Sequence, residues 1–370
     1  MRLVLVCTDR QVAFADARRC PARVRGMAEA FFRAAHDVHV LAAGPQSSVE
    51  GIPVRELRLP VTVREVDWHF AQLHPDLVIE HWVPGQDACA EAAAEARVPL
   101  LLDVDSALLD GRHDDALLAT LGTAGGVAGV LVASERDAAH VRRLAGPLLP
   151  VHVIEDAVRP ELLGVPAPDV AAQVATRLRL GERDTRVGYV GPLTAEGGAL
   201  DLLRAVAAAA HERALDPQPR VVLVGDGAAR NAALALAFEL GVRLTLCGRV
   251  AEDELGAHLA ACGVVFAGRG AGPLPMLQAM ACERAVIAHD LPDHRRIGRP
   301  GEDCWLVHDG DVPALATAIG ELLAAPDRAA RIGRRARMRV ADGYTWAAQI
   351  ERVAALGAGL AEAGARERAI

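Results

Sequence analysis

The chain has 370 residues, 52% of them hydrophobic and 24% charged, with a formal net charge of −8. That length exceeds one ordinary core and suggests about two domains; the composition excludes a disordered or collagen-like chain, and the charge offers no bulk attraction to nucleic acid or an anionic membrane. All 40 basic residues are arginine, which excludes a Schiff-base or P-loop lysine and matches the composition of a GC-rich bacterial genome.

From the N-terminus, the apolar run at residues 3–7 is too short for the core of a signal peptide, and no stretch approaches the ~18 apolar residues that cross a bilayer. A cytoplasmic location without membrane association is expected. Strands are expected at residues 3–7, 38–42, 77–81, 100–104, 130–133 and 151–154, and then at 187–190, 221–224, 244–247, 264–267, 285–288 and 305–307. Helical stretches rich in Ala, Leu and Arg lie between them, for example 22–35, 87–96 and 199–213. Strands apolar on both faces, alternating with helices, are the pattern of parallel βα units. Two such series imply two Rossmann-like domains, residues 1–165 and 183–343, joined through a stretch punctuated by Pro160, Pro166 and Pro168. Open parallel sheets bind ligands beyond the carboxyl ends of their strands, so two facing domains predict a cleft. A terminal helix follows over 344–370, with Trp346, Ile350, Val353, Leu356 and Leu360 at helical spacing. The cysteines, Cys7, Cys20, Cys89, Cys247, Cys262, Cys282 and Cys304, form no C-x-x-C pair. They read as reduced thiols rather than a disulfide framework or a zinc site.

Four successive segments of the second half carry a family resemblance: Val190-Gly191-Pro192-Leu193-Thr194-Ala195-Glu196-Gly197-Gly198; Val224-Gly225-Asp226-Gly227 with Leu240-Gly241-Val242 and Cys247-Gly248-Arg249-Val250; Leu274-Pro275-Met276-Leu277-Gln278-Ala279-Met280-Ala281-Cys282; and Val286-Ile287-Ala288-His289-Asp290. In this order they resemble the retaining family-4 glycosyltransferases. The first half is similar through His74-Pro75-Asp76-Leu77, Val132-Ala133-Ser134-Glu135 and Ile154-Glu155-Asp156-Ala157, and Tyr344-Thr345-Trp346 resembles the start of the family's last helix. The resemblance implies the GT-B fold: two Rossmann-like domains whose parallel sheets face a central cleft, with the C-terminal helix crossing back to the first domain. It also implies a nucleotide-sugar donor, an acceptor that the sequence does not name, retention at the transferred carbon, and no metal or cofactor.

The family's cations, an Arg and a Lys in G-R-L-x-x-x-K-G, fall on Pro192 and Gly197, so both charges are missing. Such charges stabilise a departing diphosphate, each donor being worth roughly 10²-fold in rate. The family's glutamate pair falls on Gly270 and Gln278, of which only Gln278 can still hydrogen-bond a ribose. The family's first-domain histidine falls on Asp105, which either meets an acceptor hydroxyl or caps the helix start at Ser106. Gly191, Gly198, Gly225 and Gly227 permit close approach of backbone to phosphate, or are ordinary strand-to-helix turns. Arg249 and Arg269, at expected strand ends, could replace the lost charge or are solvated surface arginines. His289, Asp290, Asp293 and His294 follow no standard metal spacing and read as a loop past a strand end. The run Arg331, Arg334, Arg335, Arg337 and Arg339 reads as a solvated helix face. Three functions stay open: an active glycosyltransferase with a rebuilt donor site using Asp105, Arg249, Arg269 and Gln278; a binding or regulatory partner of an active glycosyltransferase; and different chemistry on a nucleotide or sugar phosphate.

Overall fold

The computed structural model describes residues 1–9, 22–43, 51–123, 126–181, 185–213, 219–269 and 272–368. The chain forms two compact units, Met1–Ala157 with Trp346–Ile370, and Val158–Thr345.

The first unit carries a parallel sheet of β1 (Arg2–Cys7), β2 (Asp37–Ala43), β3 (Val54–Leu57), β4 (Leu77–His81), β5 (Leu100–Asp103), β6 (Gly129–Val132) and β7 (Val151–Val153), in the order β3-β2-β1-β4-β5-β6-β7. Each face is covered by helices, so the strands are apolar throughout rather than alternating. Leu3, Leu5 and Cys7 of β1 enter one core with Met27 and Phe31, while Val4 and Val6 enter the other with Phe70 and Trp82. β3 is absent from the sequence expectations. Its Arg55 and Glu56 mask the apolar signal, and it exists as an edge strand because its backbone pairs with β2 from Val40↔Val54 to Ala43↔Leu57.

The second unit carries β8 (Arg186–Val190), β9 (Arg220–Val224), β10 (Leu244–Gly248), β11 (Val264–Ala267), β12 (Ala285–His289) and β13 (Trp305–Val307), all parallel, in the order β10-β9-β8-β11-β12-β13. Here Val187 and Tyr189 enter one core and Val190 the other. In both sheets the chain reverses its direction of travel beside the first strand, between β1 and β4 and between β8 and β11. Such switch points open a crevice at the carboxyl ends of the strands.

The terminal helix Trp346–Arg368 belongs to the first unit, where Trp346, Ile350 and Val353 join the core that holds Val24 and Met27. Trp346 lies so close to Gly26 that a Cβ there would meet its Nε1 at 2.1 Å. The chain leaves the first unit after Ala157, ahead of the 160–183 stretch, and that stretch holds the helix Pro168–Arg177. Val158 N donates to Tyr344 O at 3.0 Å, tying the beginning and end of the second unit together. No helix among the described residues is long and apolar enough to cross a membrane.

Candidate functional site

At the second switch point three loops are stitched together through their backbones. Gly191 N donates to Val224 O at 3.1 Å, Gly268 N to Val190 O at 2.8 Å, and Gly225 N to Gly248 O at 2.9 Å. The glycines here are demanded by the protein itself. A Cβ on Gly225 would fall 1.9 Å from Gly191 O, and one on Gly227 would fall 2.3 Å from Leu193 O, both at positive φ. The closeness of loop to loop, rather than a phosphate, therefore requires glycine at these two positions.

Gly197, at the family's lysine position, is buried. A Cβ there would lie 2.6 Å from Pro192 O and 2.9 Å from the Tyr189 hydroxyl. That hydroxyl sits 2.7 Å from Pro192 O and 3.0 Å from Gly197 O, its proton closing the turn in place of any side chain. A side chain at this position would therefore need this turn to move.

Charge enters from a neighbouring loop. Arg269, just beyond β11, donates its backbone N–H to Gly197 O at 3.1 Å and its Nη1 to Asp309 Oδ2 at 2.8 Å. Asp309 Oδ1 in turn lies 3.4 Å from Nδ1 of His289, the last residue of β12. His289 is 2% exposed, stacks edge-on against Phe266 at 5.0 Å, and points Nε2 at Gly198. Burial pushes its imidazole below the ordinary histidine range, with Asp309 working against that shift. Gly198, with φ of +87°, opens the helix Ala199–Glu212 without a side-chain cap. The first N–H groups of that helix are available to an anion.

The other expected residues are placed less tellingly. Arg249 is exposed one residue past β10, with no ion pair to the described residues. Gln278 is half-buried on the helix Leu274–Ala281, between buried Leu277 and Ala279. Gly270 lies outside the described residues. Asp105 is an N-cap: its carboxylate accepts from Ala107 N at 2.8 Å, ahead of the turn Ser106–Leu108. The expected loop at 289–294 is instead the end of β12 followed by the short helix Pro292–Ile297. There Asp290 clamps Arg295, and His294 Nδ1 lies 2.7 Å from His289 O. Among the described residues no group of His, Cys, Asp or Glu is placed to hold a metal ion. The arginine run on the helix Pro326–Gly343 is only partly a solvated face, because Arg337 donates to Ala281 O at 2.8 Å and Arg339 pairs with Asp303 at 3.4 Å.

In the first unit the structure assembles a polar cluster that the sequence reading missed. Arg23 Nε donates to Asp103 Oδ1 at 2.6 Å, and its Nη1 reaches Ile154 O and Asp156 Oδ1. His81 Nδ1 lies 3.4 Å from Asp103 Oδ2. Burial works to raise the Asp103 carboxyl, but the Arg23 guanidinium overrides it and holds the group below the usual range; for Asp156 burial wins and the group is raised. On the opposite face of β4, against Cys89, Glu80 is fully buried, and burial pushes its carboxyl up to about 8. The signal available in sequence was Glu80-His81 and Asp103 at the ends of otherwise apolar strands.

Residues 184–325 match the family model described as glycosyl transferases group 1. This segment is therefore similar to that family. Among curated relatives, the GDP-mannose-dependent alpha-(1-6)-phosphatidylinositol monomannoside mannosyltransferase of Mycolicibacterium smegmatis is 31% identical over 210 residues, covering 54% of each chain. The alpha-maltose-1-phosphate synthase of the same organism is 28% identical over 214 residues, covering 53% of this chain and 54% of that protein. The chain spans about half the length of the curated relatives it matches. Among solved structures, sucrose-phosphate synthase from Thermosynechococcus elongatus superposes with a TM-score of 0.74 at 22% identity, over 98% of this chain and 100% of that one. Anabaena HepE in complex with UDP and glucose superposes with a TM-score of 0.75 at 18% identity, over 96% and 99%. The chain therefore has the GT-B fold, with two parallel-sheet α/β domains.

Proposed function

We propose that this glycosyltransferase moves a sugar from a nucleotide-sugar donor, seated on its second unit, to an acceptor hydroxyl with retention. In that step the bond from the sugar's anomeric carbon to the diphosphate oxygen breaks. The acceptor oxygen bonds that carbon, and its proton leaves with the diphosphate. The observation that carries the reading is Arg269, held through its backbone to Gly197 O at 3.1 Å beside the uncapped start of the helix Ala199–Glu212. A guanidinium and a row of free N–H groups at one switch point suit a departing diphosphate. That arrangement calls for no metal. Gln278 is assigned to the ribose and Arg249 to outer phosphate contact. The names of the curated relatives and the UDP bound to HepE support a nucleotide-linked donor. We place the reaction in the cytoplasm, where such donors are made available.

A second reading is favoured by Gly197, where the protein's own carbonyl and hydroxyl fill the lysine's place. On that reading the chain binds nucleotide sugars without transferring them and regulates an active relative. A thermal-shift screen against UDP-, GDP-, ADP- and TDP-sugars, followed by transfer assays with the sugar that binds, separates the two. A ligand at 100 times its Kd stabilises by ~2.7 kcal/mol. Binding with turnover supports transfer, binding without turnover supports the regulator, and no stabilisation by any donor ends both.

A further inference from the structure

We propose that His289 and Arg269 form one anion seat at the start of the helix Ala199–Glu212, that Asp309 fills this seat when no ligand is bound, and that the diphosphate of a nucleotide sugar displaces Asp309 on entry. The inference rests on the donor reading above. Three independent features converge on the seat.

The helix Ala199–Glu212 runs for 14 residues and begins at Gly198 with no side chain capping it. Its first N–H groups point out of the helix without an intrahelical acceptor. His289, 2% exposed, has no hydrogen bond on either ring nitrogen among the described residues, and its Nε2 would lie 2.6 Å from a Cβ on Gly198. A buried imidazole with no hydrogen bond, its Nε2 aimed at an uncapped helix start, is a donor waiting for an acceptor. Asp309, 50% exposed, holds one oxygen 2.8 Å from Arg269 Nη1 and the other 3.4 Å from His289 Nδ1. It brings a carboxylate to two nitrogen donors, the geometry a phosphate group would adopt. Its exposure leaves it free to turn outward.

The charged and titratable groups facing His289 are Asp309, Arg269, His294 and Asp201. His294 is committed to the His289 carbonyl, and Asp201 to Arg204 at 2.7 Å. Asp309 is therefore the counter-ion that can move. Burial keeps the imidazole uncharged near neutral pH, so a diphosphate arriving beside it draws in a proton. Affinity for the anion then falls as pH rises from 6 to 8.

The test is calorimetric titration of the full chain with pyrophosphate, UDP and GDP at pH 6 and pH 8, for the wild type, Asp309→Asn and His289→Gln. Asp309→Asn removes the resident anion at a half-exposed position, so it keeps the fold. It should bind all anions that the wild type binds on the order of fivefold more tightly. His289→Gln should bind on the order of tenfold more weakly at pH 6 and lose the pH dependence. If UDP or GDP binds the wild type but Asp309→Asn binds it no more tightly, the seat is wrong while the donor reading stands. Retention of the wild-type pH dependence by a folded His289→Gln has the same meaning. If neither pyrophosphate nor either nucleotide binds the wild type or Asp309→Asn at either pH, the seat and the donor reading fall together.

Discussion

The carbonyl of Gly191 occupies the space that a side chain on Gly225 would need, since a Cβ built there falls 1.9 Å from the oxygen. The same loop begins with Gly191 N bonded to Val224 O, so the turns after β8 and β9 lock into each other before any ligand arrives. Gly225→Ala should therefore damage the second unit as a whole rather than nucleotide contact alone. Its φ of +143° adds strain to the clash, and such backbone positions cost about 1–3 kcal/mol each. Urea denaturation should show a loss of at least that size. An unchanged midpoint would mean that the two loops can separate freely.

Trp346 anchors the terminal helix in the first unit. It is 3% exposed, packs against Gly26, and lies 5.9 Å from the Arg23 guanidinium. Trp346→Ala should destabilise the first unit by about 3–5 kcal/mol, as for other buried aromatic truncations. Calorimetry that resolves the two units should show the loss in the unit that contains β1. A melting profile identical to the wild type would refute the assignment.

Glu80 makes stability depend on pH in an unusual direction. Its folded-state carboxyl is raised to about 8 by burial, so between the ordinary carboxylate range and pH 8 the folded state holds a proton that the unfolded state has released. Stability is then fullest at or below the unfolded pKa and is lost as pH rises through about 8. Glu80→Gln mimics the protonated acid. It should lie within about 1 kcal/mol of the wild type at pH 5 and exceed it by on the order of 4 kcal/mol at pH 8. Chemical denaturation at the two pH values decides this, and equal differences at both would show that Glu80 is not the titrating group.

Catalysis should depend on Arg269 more than on Arg249, since only Arg269 is fixed beside the uncapped helix. With a donor that binds, Arg269→Ala should lower kcat/KM by about 10²-fold, while Arg249→Ala should change it by less than about tenfold. Equal effects would place the leaving group elsewhere. Restoring the family's cations should succeed only in part. Pro192→Arg is tolerable on a half-exposed residue, whereas Gly197→Lys must displace the Pro192 carbonyl and the Tyr189 hydroxyl, and should unfold the loop rather than rescue turnover.

By itself the sequence determined the two parallel sheets. Runs such as Leu3-Val4-Leu5-Val6 and Val221-Val222-Leu223-Val224 are apolar on both faces, and that is a local property of adjacent residues. It also shows Pro192 and Gly197 where the resemblance expects an arginine and a lysine. The edge strand β3 escaped it, since Arg55 and Glu56 carry no apolar signal and only the backbone of β2 makes that segment a strand. Asp105 is equally ambiguous as a sequence letter, and the N–H of Ala107 makes it a cap. Only the tertiary structure could bring His289 to Gly198, Asp309 to Arg269, and the Tyr189 hydroxyl to Gly197. Those contacts follow from the order of strands in the sheet, which sets β8, β11 and β12 side by side; hydrophobic periodicity reports which face of a strand is buried and says nothing about which strand lies beside it.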